Sequence, residues 1–582
     1  MRRTLQDLAL LSLICLFLGI SGGAAKYHPD TVLWKALQTF LENGWNPQFF
    51  NYPGFVIYCH AIVYASLFQI LPSFGIDWAS LWQAGSLTEF TPFFLLPAHL
   101  ITVAFSLLGV LCTYGVAWEL TGKRYVSLLA GLLLATSFLW VTHSHYLTVD
   151  IPLAALCMAT LWLTLYFTQQ PGKIGVGKLV ILGIVLGLAT SAKYNGILVY
   201  PAMVVALGLR GEKRQVWGWI GDSLIVLGAS AIAFFLTNPF ILLDLQAYQS
   251  FQEAILFEAN HAKTGHYGYE TRNGWEFHLR HSLYWGYGSL ALGLAGVGFV
   301  SLLRNQRILA SRKLSVLIFP VLFYGLIGSS VLGFQRYMLP VLPSLAVFTA
   351  MGAEEISQFL QNRFKLKQQI GVCAVTFLLL VPNVFYATLH NTIIRQTDTR
   401  TQFSQLLQDP SFRQTPINLY SGGYVRPILR QSPIQIQTYL THRSQNPEYF
   451  QSGFAKLREQ QSILDWIIFD SFSHDRLLYS NPIALAFPLN PENPGWVVQI
   501  SPYTVDKAKI PFSPESLYAP YLPDLPHRNQ PGPLIEFYST SESQIQQFLA
   551  ACERQAIPCK SLPGNKGYYW QAFQAKSQQS EP

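Results

Sequence analysis

Charged residues are scarce in this 582-residue sequence, where Asp, Glu, Lys and Arg make up 12% of the chain against 51% hydrophobic residues. A soluble protein usually carries about twice that charged fraction. Several uncharged apolar segments reach the roughly 20 residues that cross the hydrocarbon core of a bilayer. The shortage of charge therefore excludes a soluble globular protein and predicts a polytopic α-helical membrane protein.

The sequence also lacks a basic stripe, although its formal net charge is +8. The basic residues lie instead in short clusters between apolar runs, as topology signals of the positive-inside rule do. Nucleic acid is therefore excluded as a partner. An internal repeat of fixed period is absent too.

Seven cysteines are too few and too scattered for a disulfide framework. Cys552 and Cys559 lie close together in ACERQAIPCK near the C-terminus. A local disulfide and two free thiols both agree with that spacing. The other five lie in or beside apolar segments and are expected to be small buried residues: Cys15, Cys59, Cys112, Cys157 and Cys373.

Eleven apolar segments predict transmembrane helices, at about 4–22, 94–118, 126–142, 151–168, 178–193, 196–209, 219–237, 289–303, 314–332, 337–353 and 369–387. Arg2 and Arg3 place the N-terminus in the cytoplasm. A twelfth candidate at 54–71 would move every later basic cluster outside, so we predict that 54–71, like 31–43, lies along the outer interface. The C-terminus then lies outside. A cleaved signal peptide is the alternative for the first segment, and it also leaves the chain after Ala25 outside.

The composition changes near residue 390, where the chain becomes polar and rich in Pro, Gln and Ser. The runs SILDWIIFDSF and NPGWVVQISPYTV resemble strands. SESQIQQFLAACERQ predicts an amphipathic helix with Ser541 as N-cap and Gln544 completing a capping box. We therefore predict a transmembrane domain at 1–390, with large outer loops at 23–93 and 238–288, and an extracytoplasmic soluble α/β domain at 391–582.

Chemically competent polar residues gather at the predicted outer ends of these segments, where a substrate with its tail in the bilayer would meet them. Lys and Arg suit a phosphate there, and a carboxylate suits the removal of a proton from a hydroxyl. His145 and Asp150 are candidate ligands for a divalent cation such as Mg or Mn. The candidates are Lys26, His28, Asp30, His143, His145, Asp150, Lys193, Tyr194, Asn195, His266 and Arg336.

Each of the main candidates also has a structural interpretation. Asp30 is placed to cap a helix that begins at Thr31, and Asp150 to cap one with Pro152 in its first turn. Lys193 and Arg336 are placed to extend towards lipid headgroups.

Six stretches come in a recognisable order within residues 1 to 390: KYHPD, NYPGFVIY, HSHYLTVDIPL, GLATSAKYNGILVYPA, LTNPFILLD and RYMLPVLP. Together they resemble the membrane glycosyltransferases of the GT-C class, in the family 39 and protein O-mannosyltransferase-like branch. That branch includes aminoarabinose transferases and rhizobial lipopolysaccharide sugar transferases. The resemblance implies a GT-C fold and transfer of a sugar from a polyprenyl-phosphate carrier to a lipid, glycan or protein acceptor at the outer face of the plasma membrane.

The resemblance also implies residue roles. Asp30 and Asp150 take the acidic positions of the first and second outer loops and are the expected catalytic carboxylates. The expected substrate- and phosphate-binding residues are Lys26, His28, Lys193, Tyr194, Asn195, His266 and Arg336. Two departures stand out, because Thr31 replaces a second acidic residue and NYPG replaces a lysine-and-double-proline form. A transporter or lipid flippase, and a non-catalytic envelope assembly protein, are the alternatives.

Overall fold

The computed structural model describes most of the chain, in ranges separated by gaps. The described residues are 2–25, 30–83, 92–169, 174–210, 216–265, 271, 273–365, 368–412, 417–421, 425, 428–429, 432–441, 465–480, 495–510 and 522–579. They divide between two compact units. The first unit comprises 1–263, 273–330 and 334–391, and the second comprises 264–272, 331–333 and 392–582.

Helices account for nearly all regular structure before residue 395. In chain order they are α1 (Arg2–Ser21), α2 (Leu33–Leu41), α3 (Gly54–Ile70), α4 (Trp78–Gln83), α5 (Pro92–Thr121), α6 (Arg124–Thr136), α7 (Phe138–Ser144), α8 (Asp150–Thr168), α9 (Val176–Ala192), α10 (Tyr200–Gly208), α11 (Val216–Leu236), α12 (Phe240–Leu243), α13 (Leu245–Thr264), α14 (Gly274–Phe277), α15 (Tyr284–Gly286), α16 (Ser289–Arg304), α17 (Gln306–Leu309), α18 (Ser315–Gly328), α19 (Leu342–Phe364) and α20 (Gln368–Ile394). Short 3₁₀ segments include Tyr194–Val199 and Gln335–Val341, and a π-helical turn, His278–Leu283, joins α14 to α15.

The membrane character of this unit is clear from its helices. In the described ranges seven helices are long and apolar enough to cross a bilayer, or nine if each of two bent pairs counts as one span. Every segment predicted to span the membrane contains helix, but the number eleven is not reproduced. One reason is that α9 and the helix Tyr194–Gly208 fall short of the length of a full span. The helix Gly54–Phe74 is itself long enough to cross, and its placement along the interface stays a prediction.

Glycines let the helices approach closely. In α9, Gly183 and Gly187 form a GxxxG pair against α11, where an added Cβ would lie 2.5 Å from the carbonyl oxygens of Val226 and Ser230 respectively. Small residues allow such contact between membrane helices, where lipid removes the usual hydrophobic drive for association. These contacts fix α9, and with it Lys193 at the end of that helix.

Two helix breaks lie at Lys193 and around Arg336. After α9, Lys193 is fully extended (φ −157°, ψ 139°) before the 3₁₀ turn Tyr194–Val199 begins. Before α19, the 3₁₀ segment Gln335–Val341 contains Arg336 and Pro340, and the missing proline N–H favours such a break.

The second unit contains a six-stranded mixed sheet. Its strands are β1 (Ile417–Ser421), β2 (Ile436–Thr441), β3 (Trp466–Asp470), β4 (Trp496–Ile500), β5 (Ile535–Ser539) and β6 (Cys559–Pro563), in the order β2-β1-β3-β5-β4-β6. β1 pairs in parallel with β2 and β3, and β5 pairs antiparallel with β3 and β4. The α/β prediction for this region is confirmed, including strands in both predicted runs.

Within the described part of this unit, four helices accompany the sheet: α21 (Thr399–Leu407), α22 (Ser471–Ser480), α23 (Glu542–Arg554) and α24 (Tyr568–Gln579). Ser541 caps α23 by accepting from the Gln544 N–H, as predicted. The predicted capping box is wrong, because the Gln544 side chain accepts a hydrogen bond from Ser539 Oγ and not from the Ser541 N–H. Cys552 and Cys559 form a disulfide that joins α23 to β6.

Candidate functional site

Four ionisable side chains far apart in the sequence form one ion-pair cluster in the first unit. Arg336 Nη2 donates to Asp30 Oδ2 at 2.6 Å, and Lys193 Nζ donates to Asp150 Oδ1 at 2.8 Å. Arg336 Nε also lies 3.7 Å from Asp150 Oδ2. The cluster therefore alternates carboxylate and cation in the order Asp30, Arg336, Asp150, Lys193, and its formal charges cancel.

The backbone explains why these side chains meet. Asp150 is the first residue of α8, where the positive end of the helix dipole favours a carboxylate. Lys193 directly follows the last residue of α9, where the negative end favours a cation. Both helix ends thus favour the charge that the sequence places there.

Accessibility separates the two carboxylates. The Asp150 side chain is 4% exposed, whereas that of Asp30 is 28% exposed. Lys193 and Arg336 are 15% and 5% exposed. Asp30 is therefore the more accessible carboxylate of the cluster, and Asp150 is a buried counter-charge to the two cations.

Aromatic rings surround the cations. Lys193 Nζ lies 4.6 Å from the ring centroid of Tyr337 and 5.7 Å from that of Tyr52. The Arg336 guanidinium carbon lies 4.3 Å from the ring centroid of Phe334. Such cation–π contacts contribute about 0.5–2 kcal/mol each, more when water is excluded. The rings therefore hold both cations in place beside a low-dielectric surface.

The segment 23–93, which is predicted to be the first outer loop, is hydrogen-bonded to the rest of the unit on both sides of Asp30. Ala25 N–H donates to the His145 carbonyl, and Val32 N–H donates to the Leu147 carbonyl, both at 2.9 Å. These two bonds bracket Asp30 and place it beside the segment that leads into Asp150.

The same loop is fastened again near residue 50. Asn46 Nδ2 donates to Asp244 Oδ2 at 2.9 Å, and the Gly54 N–H donates to Asn238 Oδ1 at 2.7 Å. A Cβ at Gly54 would lie 2.6 Å from the Thr237 carbonyl oxygen, so this close approach requires glycine. The NYPG stretch therefore packs directly against the TNPFILLD stretch, and this contact is one structural role of both.

The structural interpretations of the four charged residues are wrong. Helix α2 begins at Leu33 with Val32 as its N-cap, and no side chain caps it. The N-cap of α8 is Val149, so Asp150 belongs to the helix itself. Lys193 and Arg336 do not extend to headgroups, because both are paired with carboxylates inside the protein.

The remaining predicted residues lie in different places. Tyr194 donates its hydroxyl to the Phe50 carbonyl at 2.6 Å, which ties the Lys193 turn to the first outer loop. Asn195 Oδ1 is buried and accepts no hydrogen bond from the described residues. His145 Nδ1 contacts the Gly23 carbonyl oxygen at 2.8 Å. Lys26, His28 and His266 lie outside the described residues.

The proposed metal ligands do not form a metal site in the described part of the chain. No group of three or more His, Cys, Asp and Glu residues there is arranged to hold a metal ion. Asp150 is engaged by Lys193 and Arg336, and the ring of His145 packs against His99 and His390. The residues present therefore do not fit a divalent cation at this position, and the cation stays a prediction without a site.

Sequence reasoning did not single out Tyr52, Phe334 and Tyr337. Tyr337 directly follows Arg336 and Tyr52 lies in the NYPG stretch, so both stood in motifs that had been noted for other reasons. The sequence therefore places Tyr52 and Tyr337 within or next to noted motifs. Only the fold shows that their rings contact Lys193 and Arg336.

Comparison with known proteins gives a family match for part of the chain. The family described as dolichyl-phosphate-mannose-protein mannosyltransferase matches residues 81–242, a range that includes Asp150 and Lys193. No curated protein matches the chain in sequence.

Solved structures share the fold over most of the chain. The archaeal oligosaccharyltransferase AglB from Archaeoglobus fulgidus, in complex with an inhibitory peptide and a dolichol-phosphate, is 12% identical, with a TM-score of 0.50 over 88% of this chain and 75% of its own. ArnT from Cupriavidus metallidurans, bound to undecaprenyl phosphate, is 14% identical, with a TM-score of 0.51 over 81% of this chain and 93% of its own.

These matched shares exceed the length of the first unit, so the likeness in fold extends past residue 390, where the sequence resemblance was expected to end. In sequence over residues 81–242 and in fold over most of its length, the chain is similar to the GT-C membrane glycosyltransferases, which confirms the resemblance predicted from its motifs.

Proposed function

We propose that this integral membrane protein transfers a sugar from a polyprenyl-phosphate carrier to an acceptor hydroxyl, with inversion, at the Asp30–Arg336–Asp150–Lys193 cluster. The observation that carries the proposal is one ion-pair cluster in which the accessible carboxylate of Asp30 pairs with Arg336, and a second cation, Lys193, is held nearby through the buried Asp150. A glycosyl transfer from a phosphate carrier needs a proton acceptor and a counter-charge for the leaving group, and this cluster supplies both. Two of the proteins similar in fold were solved with lipid phosphates.

The reaction is a single displacement. Asp30 accepts the proton of the acceptor hydroxyl, the acceptor oxygen bonds to the anomeric carbon, and the bond from that carbon to the phosphate oxygen breaks. The electron pair of the broken bond leaves with the carrier phosphate, which Arg336 and Lys193 stabilise. One displacement inverts the anomeric centre, and prearranged charges supply much of the rate.

Asp150 acts in this scheme as a positioning residue. Its buried carboxylate contacts both cations, so it fixes the distance between them without facing the acceptor. Arg336 has to exchange Asp30 for the carrier phosphate when the donor binds, because one guanidinium edge contacts Asp30 in this structure. That exchange releases Asp30 to receive a proton.

The orientation is part of the proposal. We place the N-terminus in the cytoplasm and residues 392–582 outside the plasma membrane. The Cys552–Cys559 disulfide supports this side, because disulfides persist in oxidising compartments and are rare in the cytosol.

The deciding experiment offers purified full-length protein a mixture of extracted polyprenyl-phosphate sugars and follows each donor by mass spectrometry. We expect one donor to lose its sugar, and the Asp30→Asn enzyme to do so about 10²–10⁴-fold more slowly, the usual range for losing a general base. Glu253→Gln is the matched control, because Glu253 is an exposed carboxylate on α13 outside the cluster. Normal turnover by Asp30→Asn would overturn the assigned role of that residue.

A further inference from the structure

Helix α13 (Leu245–Thr264) is tied to the rest of the first unit at both ends. Directly before its first residue, the Asp244 carboxylate accepts a hydrogen bond from Asn46 Nδ2 at 2.9 Å. In its last turn, the Ala262 carbonyl oxygen accepts a hydrogen bond from Ser330 Oγ at 3.0 Å. Ser330 precedes Arg336 by six residues. The helix therefore extends from the segment 23–93 to the segment that carries Arg336.

One face of α13 packs beside the turn that carries Lys193. The ring centroid of Phe251 lies 5.9 Å from that of Tyr194, the residue directly after Lys193. Ala254, three residues further along the helix, is buried. Residues 251, 254 and 258 are three and four apart, so they share this face of the helix. Glu258 is therefore an acidic residue on the face of α13 that packs beside the Lys193 turn.

The carboxylate of Glu258 lies near two tyrosines of the candidate site. It is close enough to act electrostatically on the hydroxyls of Tyr194 and Tyr337, and also on His261 in the next turn of α13. The ring of Tyr337 in turn lies 4.6 Å from Lys193 Nζ. Glu258 is partly exposed, and among the described residues no hydrogen bond or ion pair engages its carboxylate. Unlike the two carboxylates of the ion-pair cluster, it has oxygen atoms available to a ligand.

We infer that Glu258 accepts hydrogen bonds from hydroxyl groups of the sugar on the carrier phosphate, and so helps to determine which donor the protein uses. An ionised carboxylate has two acceptor oxygens and no donor, which suits the O–H groups of a sugar. Hydrogen bonds to a charged acceptor are stronger than those between neutral groups. The inference rests on the proposed function, because that function places the carrier phosphate at Arg336 and Lys193.

The other parts of such a donor do not suit Glu258. A phosphate is repelled by a carboxylate and finds its counter-charges at Arg336 and Lys193. The polyprenyl tail offers no hydrogen-bond donor, and a carboxylate within hydrocarbon is unfavourable. The sugar is attached directly to the phosphate and carries several hydroxyl groups. It is therefore the part of the donor that matches an acceptor beside Tyr194 and Tyr337.

The test compares two kinds of ligand that differ by the sugar alone. Undecaprenyl phosphate, and undecaprenyl phosphate carrying a hexose or a pentose, are titrated separately into full-length protein in nanodiscs, and native mass spectrometry measures binding. We expect wild-type protein to bind at least one sugar-bearing ligand. Glu258→Gln should weaken that binding about ten-fold, the effect of losing a charge-assisted hydrogen bond, and should leave the affinity for undecaprenyl phosphate unchanged.

Glu253→Gln is the matched control. Glu253 is an exposed carboxylate on the same helix, five residues before Glu258 and so about 140° around it. This variant should bind both kinds of ligand as wild type does. Glu258→Gln keeps the size of the side chain, and its unchanged affinity for undecaprenyl phosphate would show that the site is folded.

Three outcomes would overturn the inference: binding of no sugar-bearing ligand by wild type, equal affinity of wild type and Glu258→Gln for every such ligand, or equal weakening with and without the sugar. Because no acceptor is present in this assay, a contact of Glu258 with the acceptor alone would give the second of these outcomes. Binding that depends on Glu258, without consumption of any donor in the turnover assay, would instead overturn the proposed function and leave Glu258 assigned to the sugar.

Discussion

At the scale of single residues, the ion-pair cluster shows how far sequence reasoning reaches. Asp30, Asp150, Lys193 and Arg336 were predicted to lie at one face because the topology places their segments there, and the structure brings all four together. Which carboxylate is accessible was not predictable, because that depends on packing between elements distant in sequence. Asp30 and Asp150 both lie beside apolar segments, and the sequence does not show that Asp150 is buried between two cations while Asp30 is accessible and pairs with Arg336.

Loss of Asp150 is expected to destabilise the protein as well as slow it. Asp150→Asn leaves Lys193 and Arg336 buried with one carboxylate fewer, and removing one partner of a buried pair costs about 3–5 kcal/mol. Thermal unfolding of the purified protein, followed by intrinsic fluorescence, should show a lower midpoint. The double variant Asp150→Asn/Lys193→Met should recover part of the loss, and an unchanged midpoint in the single variant would contradict the burial of this pair.

His474 predicts how the stability of the second unit depends on pH. Its Nε2 lies 3.0 Å from the Tyr420 hydroxyl and its Nδ1 3.0 Å from the Asp470 carbonyl oxygen, and burial lowers its pKa to about 3. In the unfolded chain this histidine has a pKa of about 6.5. Between about pH 6.5 and pH 3 the unfolded chain therefore binds a proton at His474, whereas the folded unit does not. Stability should fall as the pH decreases from about 6.5 towards 3, by up to about 1.4 kcal/mol per pH unit.

Hydrogen exchange of the β1 and β3 amides in the full chain measures this dependence. The slope assigned to His474 should disappear in His474→Gln and persist in His527→Gln, because His527 is exposed. An identical pH dependence in wild type and His474→Gln would show that other groups cause the acid sensitivity.

At the scale of elements, the lengths of apolar segments and the residues at their ends predicted many of the helices and strands. They did not predict how these elements pack against one another. The strands β3 and β4 and the N-cap of α23 followed from local sequence. The extended backbone at Lys193 did not, although predicted segments end at 193 and begin at 196, because no residue there forbids a continuous helix. Tertiary contacts such as the Tyr194 hydrogen bond to Phe50 accompany this break.

The GxxxG contact of α9 predicts an indirect effect on the site. Gly187→Leu should push α9 away from α11 and move Lys193 relative to Asp150, with about 1–3 kcal/mol lost to overpacking. Both the unfolding midpoint and the rate of donor consumption should fall. Gly177→Leu lies on the same helix with nothing within 4 Å of its Cβ position, so it should behave like wild type. Equal behaviour of the two variants would argue against this helix contact.

At the scale of the whole molecule, composition alone established the membrane class, and the order of motifs established the resemblance. The number of spans was the least predictable feature, since short helices such as α10 pair with 3₁₀ turns whose boundaries leave no mark in hydropathy. The disulfide was also undecided, because seven residues of separation suit both states of the two thiols.

The proposed orientation is open to a direct test in cells. Protease added to intact spheroplasts should digest residues 392–582 and spare a tag at the N-terminus, whereas permeabilised spheroplasts should lose both. Protection of the C-terminal unit in intact spheroplasts would reverse the orientation, and with it the face on which the ion-pair cluster works.

The alternation of Asp30, Arg336, Asp150 and Lys193 has a consequence for selectivity. Each cation already has a carboxylate partner, so the resting site projects little net field and offers no unshielded charge to small anions in the surrounding water. Free inorganic phosphate should therefore be a weak inhibitor, even at millimolar concentration. Under the proposed mechanism, a phosphate carried on a lipid, whose tail remains in the bilayer and raises its local concentration, should compete well enough to open the Arg336–Asp30 pair. Asp30 would then act as an internal competitor that excludes small anions until the lipid-linked donor binds.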